Sequence, residues 1–237
     1  MTIKTPTAEE IAALREQAIF AEKDKEHFSA RFLVIGGAVT AEQLRAASTL
    51  ARRYGDGTLH LTTRQGFEIP HIPYAHLARF QAAVVKTPLQ PAKSGKCVRG
   101  ITACPGSYCK FGSIDTQGMA QAIYRKFGKR NRLPHKFKIA VGGCRHCCSK
   151  PQENDVGVMG VAGRYALFVG GMAGKTPRWG DRLPKEFSTQ KELLATIGKA
   201  IDWYAANGGD KERFGATIER VGLAKLLEAL GLPSPTR

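Results

Sequence analysis

Five of the six cysteines in this 237-residue chain fall between Arg99 and Pro151, in two tight groups. The first is Cys104-Pro-Gly-Ser-Tyr-Cys109 and the second is Cys144-Arg-His-Cys147-Cys148, with 34 residues between Cys109 and Cys144. Thiolates are soft ligands that select zinc, copper(I) or iron–sulfur clusters. A zinc ribbon prefers two C-x2-C knuckles, so the C-x4-C half fits zinc poorly. A C-x4-C paired with a C-x3-C (Cys144, Cys148) suits the wider reach around a cubane [4Fe–4S] cluster. Gly106, Gly142 and Gly143 are small enough to let backbone amides approach cluster sulfides. Clustering of this kind disfavours the alternative of buried, inert cysteines.

Lysines and arginines crowd around the thiols. The chain carries 36 Lys+Arg against 20 Asp+Glu, a formal charge of +16, which raises the local concentration of anions. Nucleic acid is one such anion, but no zinc-finger His pair, RNP-type aromatic motif or helix-turn-helix signature supports it. An acidic protein partner and a small polyanion remain. With 43% apolar and 24% charged residues, the composition is that of a soluble globular protein. No apolar run approaches the roughly 20 residues needed to span a bilayer. The first ten residues contain no apolar h-region, so the expected location is the cytoplasm, where grouped cysteines bind metal more often than they form disulfides.

The elements that must position these residues follow from pattern. Residues 7–22 read as a helix: Thr7 with Glu10 makes a capping box, and Ile11, Leu14, Ala18 and Ala21 keep to one face. A strand over 28–36 ends in a Gly-Gly turn. Thr40 with Gln43 caps a second helix whose apolar stripe is Leu44, Ala47, Leu50 and Ala51. Residues 58–63 alternate as a half-buried strand, with 67–72 as its neighbour after a turn at 64–66. A third helix fits 74–85. This β-α-β-β-α order predicts a small open sheet with helices on one face, an α+β unit.

Residues 88–95 are rich in Pro, Gly and polar side chains and mark the boundary. Beyond it, Asp115 is placed to cap a helix running to about Phe127, and 137–141 reads as a strand entering the second cysteine group. Residues 155–161 and 165–169 form a hairpin turned at 162–164. The loop Gly170-Gly171-Met-Ala-Gly174-Lys175 follows, then helices over 189–206 and 211–230. Alternation around Phe137 places Lys136 and Lys138 on one face, as joint contact with one ligand requires.

Along nearly its whole length the sequence resembles the sirohaem-containing nitrite/sulfite reductase family. The stretches that carry the resemblance are GGAVTAEQLRAASTLARRYGDGTLHLTTRQGFEI, the two cysteine groups, PHKFKIAVGGC, FVGGMAGKTPRWG and ERFGATIERVG, in that order. The resemblance implies a ferredoxin-like half-domain with an N-terminal helix over 1–88 and a mixed α/β sirohaem and [4Fe–4S] domain over 89–237. It implies that Cys104, Cys109, Cys144 and Cys148 hold the cluster, and that Cys148 bridges it to the sirohaem iron. Arg64, Arg99, Lys136 and Lys138 match the cations that bind the substrate anion. Gly170, Gly171 and Gly174 suit close backbone approach to the cofactor. Lys93, Lys96, Arg125, Lys129, Arg130, Lys150 and Lys175 are candidate partners for sirohaem carboxylates. Many members space the first cysteine pair as C-x5-C; this chain is one residue tighter, and Cys97 and Cys147 are spare thiols.

The implied activity is six-electron reduction of sulfite to sulfide, or of nitrite to ammonia. Sulfite is favoured because the module stands without attached flavin domains. Larger relatives contain two tandem copies, one supplying substrate cations and the other the cluster. A chain carrying both sets is therefore expected to form a homodimer or to pair with a related subunit. No flavin or nicotinamide fingerprint is present, so an external donor such as a ferredoxin is expected. Two other readings are a non-catalytic electron-transfer or scaffold subunit, and a zinc-containing nucleic-acid-binding protein.

Overall fold

Two threonines open helices of the N-terminal part by the same device. In the computed structural model, which describes residues 6–233, the Thr7 hydroxyl accepts from the Glu10 amide and the Glu10 carboxylate accepts from the Thr7 amide; Thr40 and Gln43 repeat the arrangement. Each cap contributes about 1 kcal/mol. The first five of the residues searched for a secretory h-region lie outside those described. The caps start α1 (Ala8–Glu16) and α2 (Ala41–Tyr54). Helix α1 stops well short of the expected residue 22. Ala18 takes a positive φ of 62°, and β1 (Ile19–Ala21) then pairs antiparallel with β2 (His27–Leu33). A free sheet edge outweighs helix propensity in this short segment.

The division falls between Ser94 and Gly95. In the first unit β2 lies beside β1, β4 (Phe67–Pro73) and β5 (Gln90–Pro91), and β3 (His60–Leu61) pairs with β4. The first unit extends past Pro88 because β5 belongs to this sheet. Leu14, Ala47, Leu50, Ala51 and Tyr54 from the helices, with Leu77 and Phe80 from α3 (Leu77–Val84), pack on Phe28, Phe32, Phe67, Ile69 and Ile72 of the strands. Leu44 is not part of the stripe, being 44% exposed. Residues 58–63 do not form a half-buried strand: only two of them pair, and Leu61 is 76% exposed. The chain turns at once, with the Thr62 amide donating to Gly66 O and the Gln65 amide to Thr62 O, and this leaves no length for alternation.

The second unit holds a mixed sheet in the order β10-β9-β8-β7-β6. Strands β6 (Thr102–Ala103), β7 (Ile139–Gly142) and β8 (Val156–Val161) are parallel; β9 (Arg164–Val169) and β10 (Asp181–Phe187) continue antiparallel. Parallel neighbours need a long connection, and α4 (Thr116–Phe127), capped by the Asp115 carboxylate, supplies the one between β6 and β7. Strand β10 escaped the sequence reading because Pro184 interrupts it. It tolerates the proline as an edge strand whose register shifts between Arg182 and Glu186. Helix α5 (Gln190–Asn207) is capped by Thr189. The expected last helix is two, α6 (Phe214–Val221) and α7 (Leu223–Leu230), divided at Gly222 with φ 106°. Among the described residues no helix is long and apolar enough to cross a membrane.

The turn into α6 is held by Glu212, whose carboxylate accepts from the Gly209 amide (2.7 Å) and from Arg220 Nε (2.9 Å) and Nη2 (2.7 Å). The Arg220 bond leads in holding the Glu212 carboxyl down at about 2, against an ordinary value of 4.5. A depressed carboxyl stabilises the fold above its unfolded value and loses that contribution as pH falls through the folded one. Thermal unfolding followed by circular dichroism is therefore expected to weaken between about pH 4.5 and 2, and Glu212→Gln should flatten part of that slope.

Candidate metal centre and anion-binding face

Both cysteine groups leave the sheet at the carboxyl ends of adjacent parallel strands, where open α/β sheets place their ligands. Cys104 follows β6, and its amide donates to Val141 O of β7 (3.1 Å). The loop after β7 begins at Gly143, whose amide donates to Cys104 Sγ (3.1 Å) and whose carbonyl accepts from the Ser113 amide (2.8 Å). The two loops touch backbone to backbone: a Cβ on Gly143 would lie 2.9 Å from Gly106 Cα and 3.4 Å from Cys104 Sγ. Thr116 Oγ1 (2.7 Å) and Gln117 Nε2 (3.2 Å), in the first turn of α4, hold the Cys104 carbonyl. At the rim, the Phe111 and His146 rings meet at 5.0 Å, joining one cysteine loop to the other.

Cys104 and Cys144 are half-buried, while Cys109 and Cys148 are exposed. Cys147, one residue from Cys148, has φ 54° and accepts from Gln152 Nε2 (3.0 Å), with its thiol 3.5 Å from Met159 Sδ. It packs against a small apolar cluster of Met159, Ala166 and Phe168, while its amide donates to Cys144 O (3.2 Å). Cys97 is buried in a bridge with Asn131. The four remaining thiols, on two loops in mutual contact with an amide already at one sulfur, form a donor set that fits a cubane cluster. A cubane holds its thiolates at separate corners. It does not need them to converge on one ion, and among the described residues no group of three or more His, Cys, Asp or Glu side chains does so.

The expected anion-binding cations fall in two places. Arg64 sits half-buried on the Thr62–Gly66 turn of the first unit. Arg99, Lys136 and Lys138 lie in the second unit around one isolated bridge, ahead of β7, which begins at Ile139 and not at 137: Val98 bridges Phe137 in parallel, and the Arg99 amide donates to Phe137 O (2.8 Å). Val98 and Phe137 are buried while Arg99, Lys136 and Lys138 are half-exposed, so alternation puts the three cations on the opposite face. The Phe137 ring is anchored against Tyr204 (5.5 Å) and Phe214 (5.4 Å). The cation density is felt by His135, which burial first, and then Lys136 and Arg213, push below its ordinary value.

The glycine loop has an internal explanation at two of its three positions. A Cβ on Gly170 would meet Arg178 Nη1 and the Ile218 side chain at 2.8 Å, and one on Gly171 would meet Gln152 O at 2.0 Å. Both glycines therefore serve close packing within the chain, whereas Gly174 is exposed with nothing within 4 Å of an added Cβ. Of the cations offered for sirohaem carboxylates, Lys96 pairs with Asp210 and Arg130 with Asp202. The sequence reading missed Asp155, fully buried beneath Lys138, and its partner Arg213. Arg213 lay inside a matched motif, but nothing local linked it to an aspartate 58 residues away.

One unit carries thiolate loops at the ends of parallel strands and the other a small open sheet packed by helices, a two-part design. A family model described as "Nitrite and sulphite reductase 4Fe-4S domain" matches residues 94–237, and one described as "Nitrite/Sulfite reductase ferredoxin-like half domain" matches residues 20–86. The chain belongs to the nitrite/sulphite reductase family. It is 35% identical over 135 residues to an assimilatory-type sulfite reductase of Nitratidesulfovibrio vulgaris, covering 56% of this chain and 61% of that protein. It is 36% identical over 140 residues to a nitrite reductase [NAD(P)H] of Bacillus subtilis, covering 59% of this chain and 17% of that protein. It thus spans less than two thirds of either relative. The fold is shared with the Mycobacterium tuberculosis NirA protein at TM-score 0.81 and 20% identity, over 98% of this chain and 49% of the other.

Because Gly143 sits in contact with both Gly106 and Cys104, Gly143→Ala should push the two loops apart. Iron and acid-labile sulfide per chain are expected to fall by roughly half or more. Cys147→Ser, whose thiol faces Met159 and Gln152, should leave both assays unchanged.

Proposed function

We propose that this chain reduces a small oxyanion at a paired sirohaem and [4Fe–4S] centre, converting sulfite to sulfide with six electrons. Nitrite is the second reading, since relatives named for each substrate are about equally similar. The observation that carries the proposal is the shared face of Arg99, Lys136 and Lys138 around buried Phe137. A pure electron carrier has no use for an anion pocket, which disfavours the scaffold reading.

In this reading Cys104, Cys109, Cys144 and Cys148 would hold the cluster, and Cys148 would be the thiolate shared with the sirohaem site. When bound, the pair of groups stores electrons and offers iron to the substrate. Exposed Lys150 and Lys175 face outward as candidate partners for sirohaem carboxylates. The chain's own part is electrostatic. Lys136 and Lys138 Nζ, with the Arg99 guanidinium, draw in the anion and stabilise charge developing on each departing oxygen, and Arg64 of the first unit is a further candidate by family resemblance. The ammonium groups also hold protons next to that oxygen, where each S–O or N–O cleavage consumes them. Electrons come from an external donor; an acidic ferredoxin-like protein fits the +16 charge, with steering that weakens as salt rises.

The site is completed by a second copy or a related subunit. Lys136 and Lys138 precede β7, and the second cysteine group follows it. A strand advances about 3.3 Å per residue, so Lys138 and Gly142 alone are roughly 13 Å apart along the chain direction. An isologous pair would bring one copy's lysines to the other copy's thiols.

Lys136→Ala/Lys138→Ala is expected to abolish sulfite turnover while preserving the sirohaem absorption bands. Mixing that variant with Cys148→Ser, also inactive alone, should restore about a quarter of wild-type activity if subunits exchange at random across a two-fold interface. Activity surviving in the lysine variant would remove the substrate assignment. Failure of the mixture to recover would remove the shared site.

A further inference from the structure

We infer that Asp155 is a positioning residue for the anion-binding face: its carboxylate sets the backbone of Lys138 and, through it, the aim of both lysines. The inference rests on the function proposed above for that face. Asp155 Oδ2 accepts from the Lys138 amide at 2.7 Å and from Arg213 Nη2 at 2.8 Å. The Asp155 side chain is 0% exposed and that of Arg213 is 11% exposed. The Asp155 carbonyl accepts from the Gly170 amide (2.8 Å), and the Lys138 carbonyl accepts from the Val156 amide (3.1 Å). One buried residue therefore ties together the entry to β7, the entry to β8, the end of β9 and the first residue before α6.

As a stabilising device this pair is poor. Burying two charges costs several kcal/mol per ion before their attraction is counted. Asp155 Oδ1 and Arg213 Nε are moreover buried without a hydrogen-bond partner. Burial pushes the Asp155 carboxyl up, and Arg213 and the Lys138 amide oppose that. What the carboxylate does accomplish is geometric. Lys138 comes just before the first residue of β7, where the ladder alone holds the backbone least, and Phe137 beside it is already packed between Tyr204 and Phe214. With the ring and the following amide both held, the Lys136 and Lys138 side chains leave the segment ahead of β7 from fixed points on one face.

The test separates position from stability. Removing one partner strands a buried charge and is destabilising, but replacing both by apolar residues of similar size is often neutral. Asp155→Leu/Arg213→Met is therefore expected to melt within a few degrees of wild type and to load cofactor with an unchanged spectrum. Its Lys138 amide, in protein without cofactor, should exchange with deuterium about tenfold faster or more. In the loaded enzyme the KM for sulfite should rise about tenfold, with a smaller change in kcat.

Wild-type exchange at Lys138, or faster exchange with wild-type KM, overturns the inference, the second result leaving Asp155 a merely structural role. If the double variant does not fold, Asp155→Glu keeps the ion pair but moves the acceptor by one methylene; KM should again rise, and an unchanged KM overturns the inference. Should loaded wild-type protein reduce neither sulfite nor nitrite, the proposed function fails instead, and the exchange measurement still decides whether Asp155 holds Lys138.

Discussion

Gly106 and Gly143 lie so close that a methyl group on Gly143 would come within 2.9 Å of Gly106 Cα, and the site depends on that contact. It brings two loops 34 residues apart in sequence into one surface. Each loop is launched from the carboxyl end of a parallel strand, so their spacing follows the strand spacing of the sheet. Side chains at the contact would widen the gap and separate the thiols. The two glycines, the Gly143 amide at Cys104 Sγ and the Thr116 and Gln117 bonds to the Cys104 carbonyl act as one unit.

The same sheet carries charge at its other end. Strand β7 separates the Lys136-Phe137-Lys138 segment from the second cysteine group, so the two groups lie at opposite ends of one strand. The anion face and the thiolate loops are both present, yet the strand that organises them also keeps them apart. The buried Asp155–Arg213 pair lies at the lysine end of β7, and the glycine contact at the thiolate end.

Much of this was legible because it rests on local chemistry. The capping boxes at Thr7 and Thr40, the Asp115 cap and the hairpin over 156–169 follow from residue types a few positions apart, and the structure reproduces them. The errors came where distant partners decide. Ile19–Ala21 left the helix because β2 offered an edge. Leu61 is exposed because the Thr62–Gly66 turn ends the strand. Strand β10 forms despite Pro184 because it needs hydrogen bonds on one side only. Gly170 and Gly171 pack closely against Arg178, Ile218 and Gln152, contacts that no local pattern announces.

The family was legible in the sequence alone: thiols in a C-x4-C and C-x3-C arrangement, cations two residues apart, and family motifs in order. Those are properties of residue type and short spacing, which survive without coordinates. Only the tertiary structure decided which thiols are set apart, with Cys147 turned toward Met159 and Gln152. It alone showed that Asp155 and Arg213 meet beneath Lys138, and that cations and thiols occupy opposite ends of β7. The reason is the same in each case. Contacts between residues tens of positions apart are set by sheet order and close packing, and neither leaves a mark in local sequence.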